Sequence, residues 1–65
     1  MATMRGYYRS ELLRAINNIE MALTHLVRLV LAYAEAHPDI ASQLDDVCEG
    51  LNLAITVIRK IHDSI

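Results

Sequence analysis

Two unbroken apolar repeats, separated by a single proline, leave this chain few folds to choose from. Leu12, Ile16, Ile19, Leu23, Leu26, Val30 and Tyr33 follow one another at alternating steps of four and three. Ile40, Leu44, Val47, Leu51, Ala54, Ile58, Ile61 and Ile65 do the same. A four-three repeat lays one continuous apolar stripe along an α-helix. Pro38 breaks the pattern between them, because proline lacks the N–H a helix interior needs and collides with the preceding turn. Two stripes joined by a short turn face each other antiparallel. The spacing therefore predicts an all-α, antiparallel two-helix hairpin.

The element boundaries follow from capping chemistry. Ser10 can accept a bond from an orphan amide at a helix start, and Glu11 suits the positive end of the helix dipole. Helix 1 is expected over about residues 10–36, after an N-terminal arm of residues 1–9. Pro38 suits the first position of helix 2, Asp39 its first turn, and Arg59 and Lys60 its last turns. Helix 2 is expected over about residues 38–63, so the hairpin occupies residues 10–65.

The residues flanking those stripes are apolar too: Leu13, Ala15, Ala22, Val27, Leu29 and Leu31 on helix 1, Ile55 and Val57 on helix 2. In a lone hairpin they would face water. At about 25 cal/mol per Å² that exposure costs several kcal/mol, comparable to the stability of a whole small domain. The chain has 65 residues, and ordering a chain costs about 1.5 kcal/mol per residue. Chains this short usually rely on disulfides, a metal or oligomerisation, and the single cysteine, Cys48, excludes an internal disulfide framework. A homo-oligomeric helical bundle, a dimer or higher, is the expected solution. Small residues at Ala15, Ala22, Ala36, Gly50 and Ala54 would let helices approach closely. Gly50 in particular calls for a packing reason, since glycine inside a helix costs about 1 kcal/mol relative to alanine.

Cys48 is expected as a packed thiol in a reducing compartment. The opening MATMRGYYRS contains no apolar run of signal-peptide type, and the longest apolar run, residues 29–34, falls short of the roughly 20 residues that span a bilayer. A cytoplasmic protein is the expectation.

No catalytic, metal or cofactor motif is present in the pattern. His25, His37 and His62 are too far apart to share a helical turn, and Asp45 and Asp46 point about 100° apart on a helix. Ser10, Ser42 and Ser64 have no base at a useful spacing, and no glycine-rich loop could cradle phosphates. The expected function is binding without turnover.

Charge distribution says more. Residues 1–20 and 55–65 share one end of the hairpin and hold Arg5, Arg9, Arg14, Arg59 and Lys60 against Glu11, Glu20 and Asp63, a net +2. Residues 21–54 hold Arg28 against Glu35, Asp39, Asp45, Asp46 and Glu49, a net −4. The basic end also carries Tyr7 and Tyr8. Aromatic faces beside guanidinium groups can stack on bases and meet phosphates. Tyr7, Tyr8, Arg9, Arg14 and Arg59 are thus candidate ligand-binding residues for an anionic nucleotide. The alternative is that the tyrosines cap the bundle and the charges complement the helix dipoles.

RGYYRSELLRAINNI, then a proline break, then DDVCEGLNLAITVIR, together resemble the phage anti-CBASS cyclic-nucleotide sponges. The shared features are a Gly-Tyr before the first long helix, an Asn-x-Ile within it, and a glycine followed by an alternating apolar stretch ending in arginine. The resemblance implies an oligomer of helical hairpins that sequesters a cyclic oligonucleotide between protomers in a bacterial host cytoplasm and so blinds a defence system. It also implies that Tyr7 stacks on a base and that Arg59 lies near the phosphates. Glu20 departs from the pattern, standing where the family tends to place a lysine.

Two other function classes fit the same pattern. One is a plain homo-oligomerisation module. The other is a small RNA-binding dimer forming a four-helix bundle, for which helix 1 exposes few cations, chiefly Arg14 and Arg28. Nucleic acid is therefore not an expected partner, and the short apolar runs speak against a membrane.

Overall fold

The computed structural model describes residues 4–65. They form two α-helices, α1 (Met4–Tyr33) and α2 (Pro38–Ser64), that fold back on each other as a hairpin. The hairpin is long and flat, with extents of 56 × 15 × 10 Å. Its radius of gyration of 15.4 Å exceeds the roughly 11 Å of a compact chain of this length. Its accessible surface of 4989 Å² exceeds the roughly 4,200 Å² of a compact monomer of this mass. Two helices cannot enclose a core between them, and the extra surface is the consequence.

Helix α1 begins at Met4 rather than near Ser10. Residues 4–9 of the expected arm are therefore helical, and residues 1–3 lie outside the described residues. Nothing in Met4–Arg9 blocks helix formation, and tertiary contact supports it: Arg9 Nη1 donates to the carbonyl oxygen of His62 at 2.9 Å. That carbonyl belongs to the last turn of α2, where oxygens have no partner within the helix. Ser64 Oγ donates to the Ile61 carbonyl oxygen at 2.8 Å in the same turn. Ser10, favourable as a cap, thus sits inside a longer helix.

Helix α1 ends at Tyr33, before the expected Ala36. The His37 amide still donates to the Tyr33 carbonyl oxygen at 2.8 Å, so residues 34–36 form a turn that closes the helix. His37 leaves helical geometry at φ −140° and ψ 70°, as the residue before a proline tends to. The Tyr33 and His37 rings meet edge-on at 5.8 Å. Helix α2 starts at Pro38 with Asp39 in its first turn, as the dipole argument predicts.

The α1 seam is the one its spacing predicts: Ile16 is buried, and Leu12, Ile19, Leu23, Leu26, Val30 and Tyr33 are half-buried. On α2 the seam keeps Leu44, Leu51 and Ile58 from the prediction and lies one residue over at the positions between them. It runs through Ala41, Leu44, Cys48, Leu51, Ile55, Ile58 and His62, of which Ala41, Cys48 and Ile55 are buried. Ile55, expected on the outer flank, is 9% exposed, whereas Val47 and Ile61, expected in the seam, are 49% and 46% exposed. Ile65 is likewise exposed. The apolar arc of α2 is wider than the seam it faces, so two registers satisfy the same four-three count. Cys48 packs as a free, buried thiol in place of Val47.

The flanks of the seam form two different broad faces. A shallow cleft lined by Tyr8, Glu11, Leu12, Ile61 and Ile65 puts the α1 strip through Tyr8 and the α2 strip through Ile61 on one side. Seven-residue steps return to within about 20° on an α-helix. The first strip therefore continues through Ala15, Ala22 and Leu29, and the second through Ala54, Val47 and Ile40. Neither strip carries a charge, and Glu11 stands beside them in the cleft. A second cleft, lined by Leu23, Thr24, Val27, Arg28, Cys48 and Asn52, marks the opposite side. There the same stepping gives Leu13, Glu20 and Val27 on α1 and Asp45, Asn52 and Arg59 on α2. That side is mixed.

Candidate functional site

The candidate residues sit at the end where α1 begins and α2 finishes, and helical stepping distributes them around it. Tyr7 and Arg14 are seven residues apart and share the outer edge of α1. Tyr8, one residue on from Tyr7, is rotated by about 100° onto the uncharged face, in the cleft with Glu11, Leu12, Ile61 and Ile65. Arg9 and Arg59 lie toward the mixed face. The five residues share one end of the hairpin and three different directions, and a single protomer does not gather them into an enclosed pocket.

Each group has a local role. The Tyr7 and Tyr8 rings meet edge-on, with centroids 5.5 Å apart and planes 66° apart, and both are exposed. Arg9 is engaged with the His62 carbonyl oxygen. Arg14 Nη1 stands 3.9 Å from Glu11 Oε1 with its side chain 70% exposed, a long, solvated pair of the kind that contributes little. Arg59 is exposed on the turn before His62. At this end, cationic groups and aromatic edges are presented to solvent and can attract and stack on an anionic, planar ligand.

Two participants escaped the sequence reading. Glu11 partly neutralises Arg14, a pairing readable from their three-residue spacing. His62 occupies the seam where an isoleucine was expected, and its Nδ1 lies 3.0 Å from Asp63 Oδ1. Its carbonyl oxygen, rather than its ring, contacts Arg9. Main-chain acceptors leave no such trace in residue type.

Among the described residues, no group of three or more His, Cys, Asp or Glu side chains comes together as a metal site, and no helix is long and apolar enough to cross a membrane. No protein-family model, curated protein or solved structure matches the chain.

Proposed function

We propose that this chain is a non-enzymatic assembly protein, a helical hairpin that associates with copies of itself through its uncharged broad face. The observation that carries the reading is that face: Tyr8, Leu29, Val47 and Ile61 on it are exposed large apolar side chains, with Ala15, Ala22 and Ala54 between them and no charge on either strip. Apolar side chains gathered on one face in this way mark an interaction surface. Covering it removes the cost of leaving those side chains in water.

A second reading adds a ligand. The exposed Tyr7–Tyr8 pair beside Arg9, Arg14 and Arg59 favours an anionic nucleotide, and the likeness to the cyclic-nucleotide sponges narrows that to a cyclic oligonucleotide messenger held without turnover, as a phage counter-defence device in the host cytoplasm. Since one protomer does not converge the five residues, such a site takes groups from more than one copy. Assembly is then a precondition of binding.

One preparation tests both readings. Sedimentation is expected to show a dimer or larger species at low micromolar concentration, and a stable compact monomer would overturn assembly. Calorimetry against cyclic di- and trinucleotides is expected to give micromolar or tighter binding that Tyr7→Ala abolishes. Flat titrations for every nucleotide remove the ligand and leave the assembly module.

A further inference from the structure

We propose that the copies pair face to face in antiparallel orientation, each basic end lying over the acidic turn half of its partner. This rests on the assembly reading above and goes beyond it by naming the occupant of the uncharged face, a second copy of this chain, and its direction.

The face has the size for such a partner. The broad side of the whole hairpin, 56 × 15 Å, sets the upper bound of such a contact at roughly the 800 Å² per partner of a standard interface. A two-fold pair is isologous, the same patch used twice, and a continuous uncharged strip on each helix allows this without opposing like charges in the interface.

The direction is set by charge at the ends. Because the two strips carry no charge, they discriminate weakly between parallel and antiparallel stacking. The ends discriminate through the charges not turned onto the mixed face, where Arg9, Glu20, Asp45 and Arg59 lie. Parallel pairing stacks the +2 end on its copy and the −4 half on its copy, whereas antiparallel pairing opposes +2 to −4 at both ends. Screening over about 8–10 Å at physiological salt makes each end sensitive to whatever lies directly across from it. The same gradient runs along α2 alone: Asp39, Asp45, Asp46 and Glu49 fill its first half, and Arg59 and Lys60 its second.

The geometry at mid-length agrees. An antiparallel two-fold axis crosses the long axis at the middle, near residues 18–19 of α1 and residue 51 of α2, and stacks α2 on the partner's α2. Gly50 lies beside that point, at the rim of the face between Val47 and Ala54. A Cβ at Gly50 would meet nothing within 4 Å, so packing inside the protomer does not account for the glycine. Close approach of the partner's α2 does.

Pulsed electron-resonance distances between spin labels test the direction. With Cys48→Ala removing the native thiol, a label at Ser64→Cys reports across the pair, and a label at Asn17→Cys reports near the axis. At 1.5 Å per residue, antiparallel pairing separates the Ser64 labels by roughly 40 Å, with Asn17 labels under about 25 Å. A Ser64 distance under about 25 Å overturns the orientation while leaving assembly standing. Monomeric sedimentation of the unlabelled chain fails the assembly reading and this one together. Should the Ser64 variant lose helicity by circular dichroism, a label at Glu35→Cys, in the turn at the far end, replaces it with an antiparallel expectation of roughly 50 Å.

Discussion

The two broad faces of the hairpin are built from the same two helices and differ in what surrounds their apolar residues. On one, Tyr8, Ala15, Ala22 and Leu29 oppose Ile40, Val47, Ala54 and Ile61 with no charge on either strip. On the other, Leu13 and Val27 flank Glu20 and oppose Asp45, Asn52 and Arg59. Exposure of individual residues hardly separates them, since Val27 at 48% and Val47 at 49% are equally open to solvent in the protomer. Composition does. Scattered exposed valines and leucines are ordinary on protein surfaces, whereas an unbroken apolar patch is not. The pair Val27 and Val47 therefore isolates context from exposure.

The largest expected effect uses that pair. Val47→Glu puts a carboxylate into the covered face of both copies, and an unpaired charge taken out of water is costly. Self-association is expected to weaken by at least about 100-fold, or about 3 kcal/mol. Val27→Glu joins Glu20 and Asn52 on a face already wet, and the expected change is within about 0.5 kcal/mol. Sedimentation equilibrium across a dilution series measures both. Equal losses from the two variants would erase the distinction between the faces.

The boundary between seam and face is the next thing to test. Ile55 lies in the seam and Ile61 on the uncharged face, the reverse of what spacing alone suggests. Ile55→Ala is expected to cost about 2–4 kcal/mol in urea unfolding, because it deletes a buried side chain and leaves a cavity. Ile61→Ala removes a side chain that is about half exposed before assembly, and a smaller loss is expected. The opposite ranking would put the seam on Val47 and Ile61 and turn the uncharged face away from its assigned strip.

That register error shows where sequence pattern stops carrying information. On α1 a second phase through Ala15, Ala22 and Leu29 is also continuous, but Ile16 and Leu23 outweigh the alanines beside them in apolar bulk, and the structure uses the larger side chains. On α2 the pairs Ile40–Ala41, Val47–Cys48 and Ala54–Ile55 are apolar at both positions. At the fourth, Ile61–His62, hydropathy favours the isoleucine, while helix geometry carries the seam on to His62. Helix α1 likewise extends past Ser10 because a cap preference of about 1 kcal/mol does not stop a helix that gains contact beyond it, here through Arg9 and the His62 carbonyl oxygen. The candidate residues were legible as types gathered at one end of the hairpin. Their divergence was not, because residues 1–9 were expected as an arm outside the helix, whereas on α1 the adjacent Tyr7 and Tyr8 point about 100° apart. What the residue pattern does not contain is which copies of the chain stand beside them.

Gly50→Ala carries the smallest expected effect and reads the middle of the uncharged face by its sign. In an isolated helix, alanine is worth about 1 kcal/mol over glycine, and the protomer offers the new methyl open space, with nothing within 4 Å of it. If the face stays open to solvent, the substitution stabilises the protein by about that amount at every concentration. If a second α2 crosses close to Gly50, the methyl prevents that approach, and the gain in helix propensity is offset by weaker association. The expected outcome is a thermal midpoint that rises at concentrations where the protein is dissociated, together with a dissociation constant that increases several-fold. A uniform rise in stability with unchanged association would leave the glycine without a packing role and move any partner away from the middle of that face.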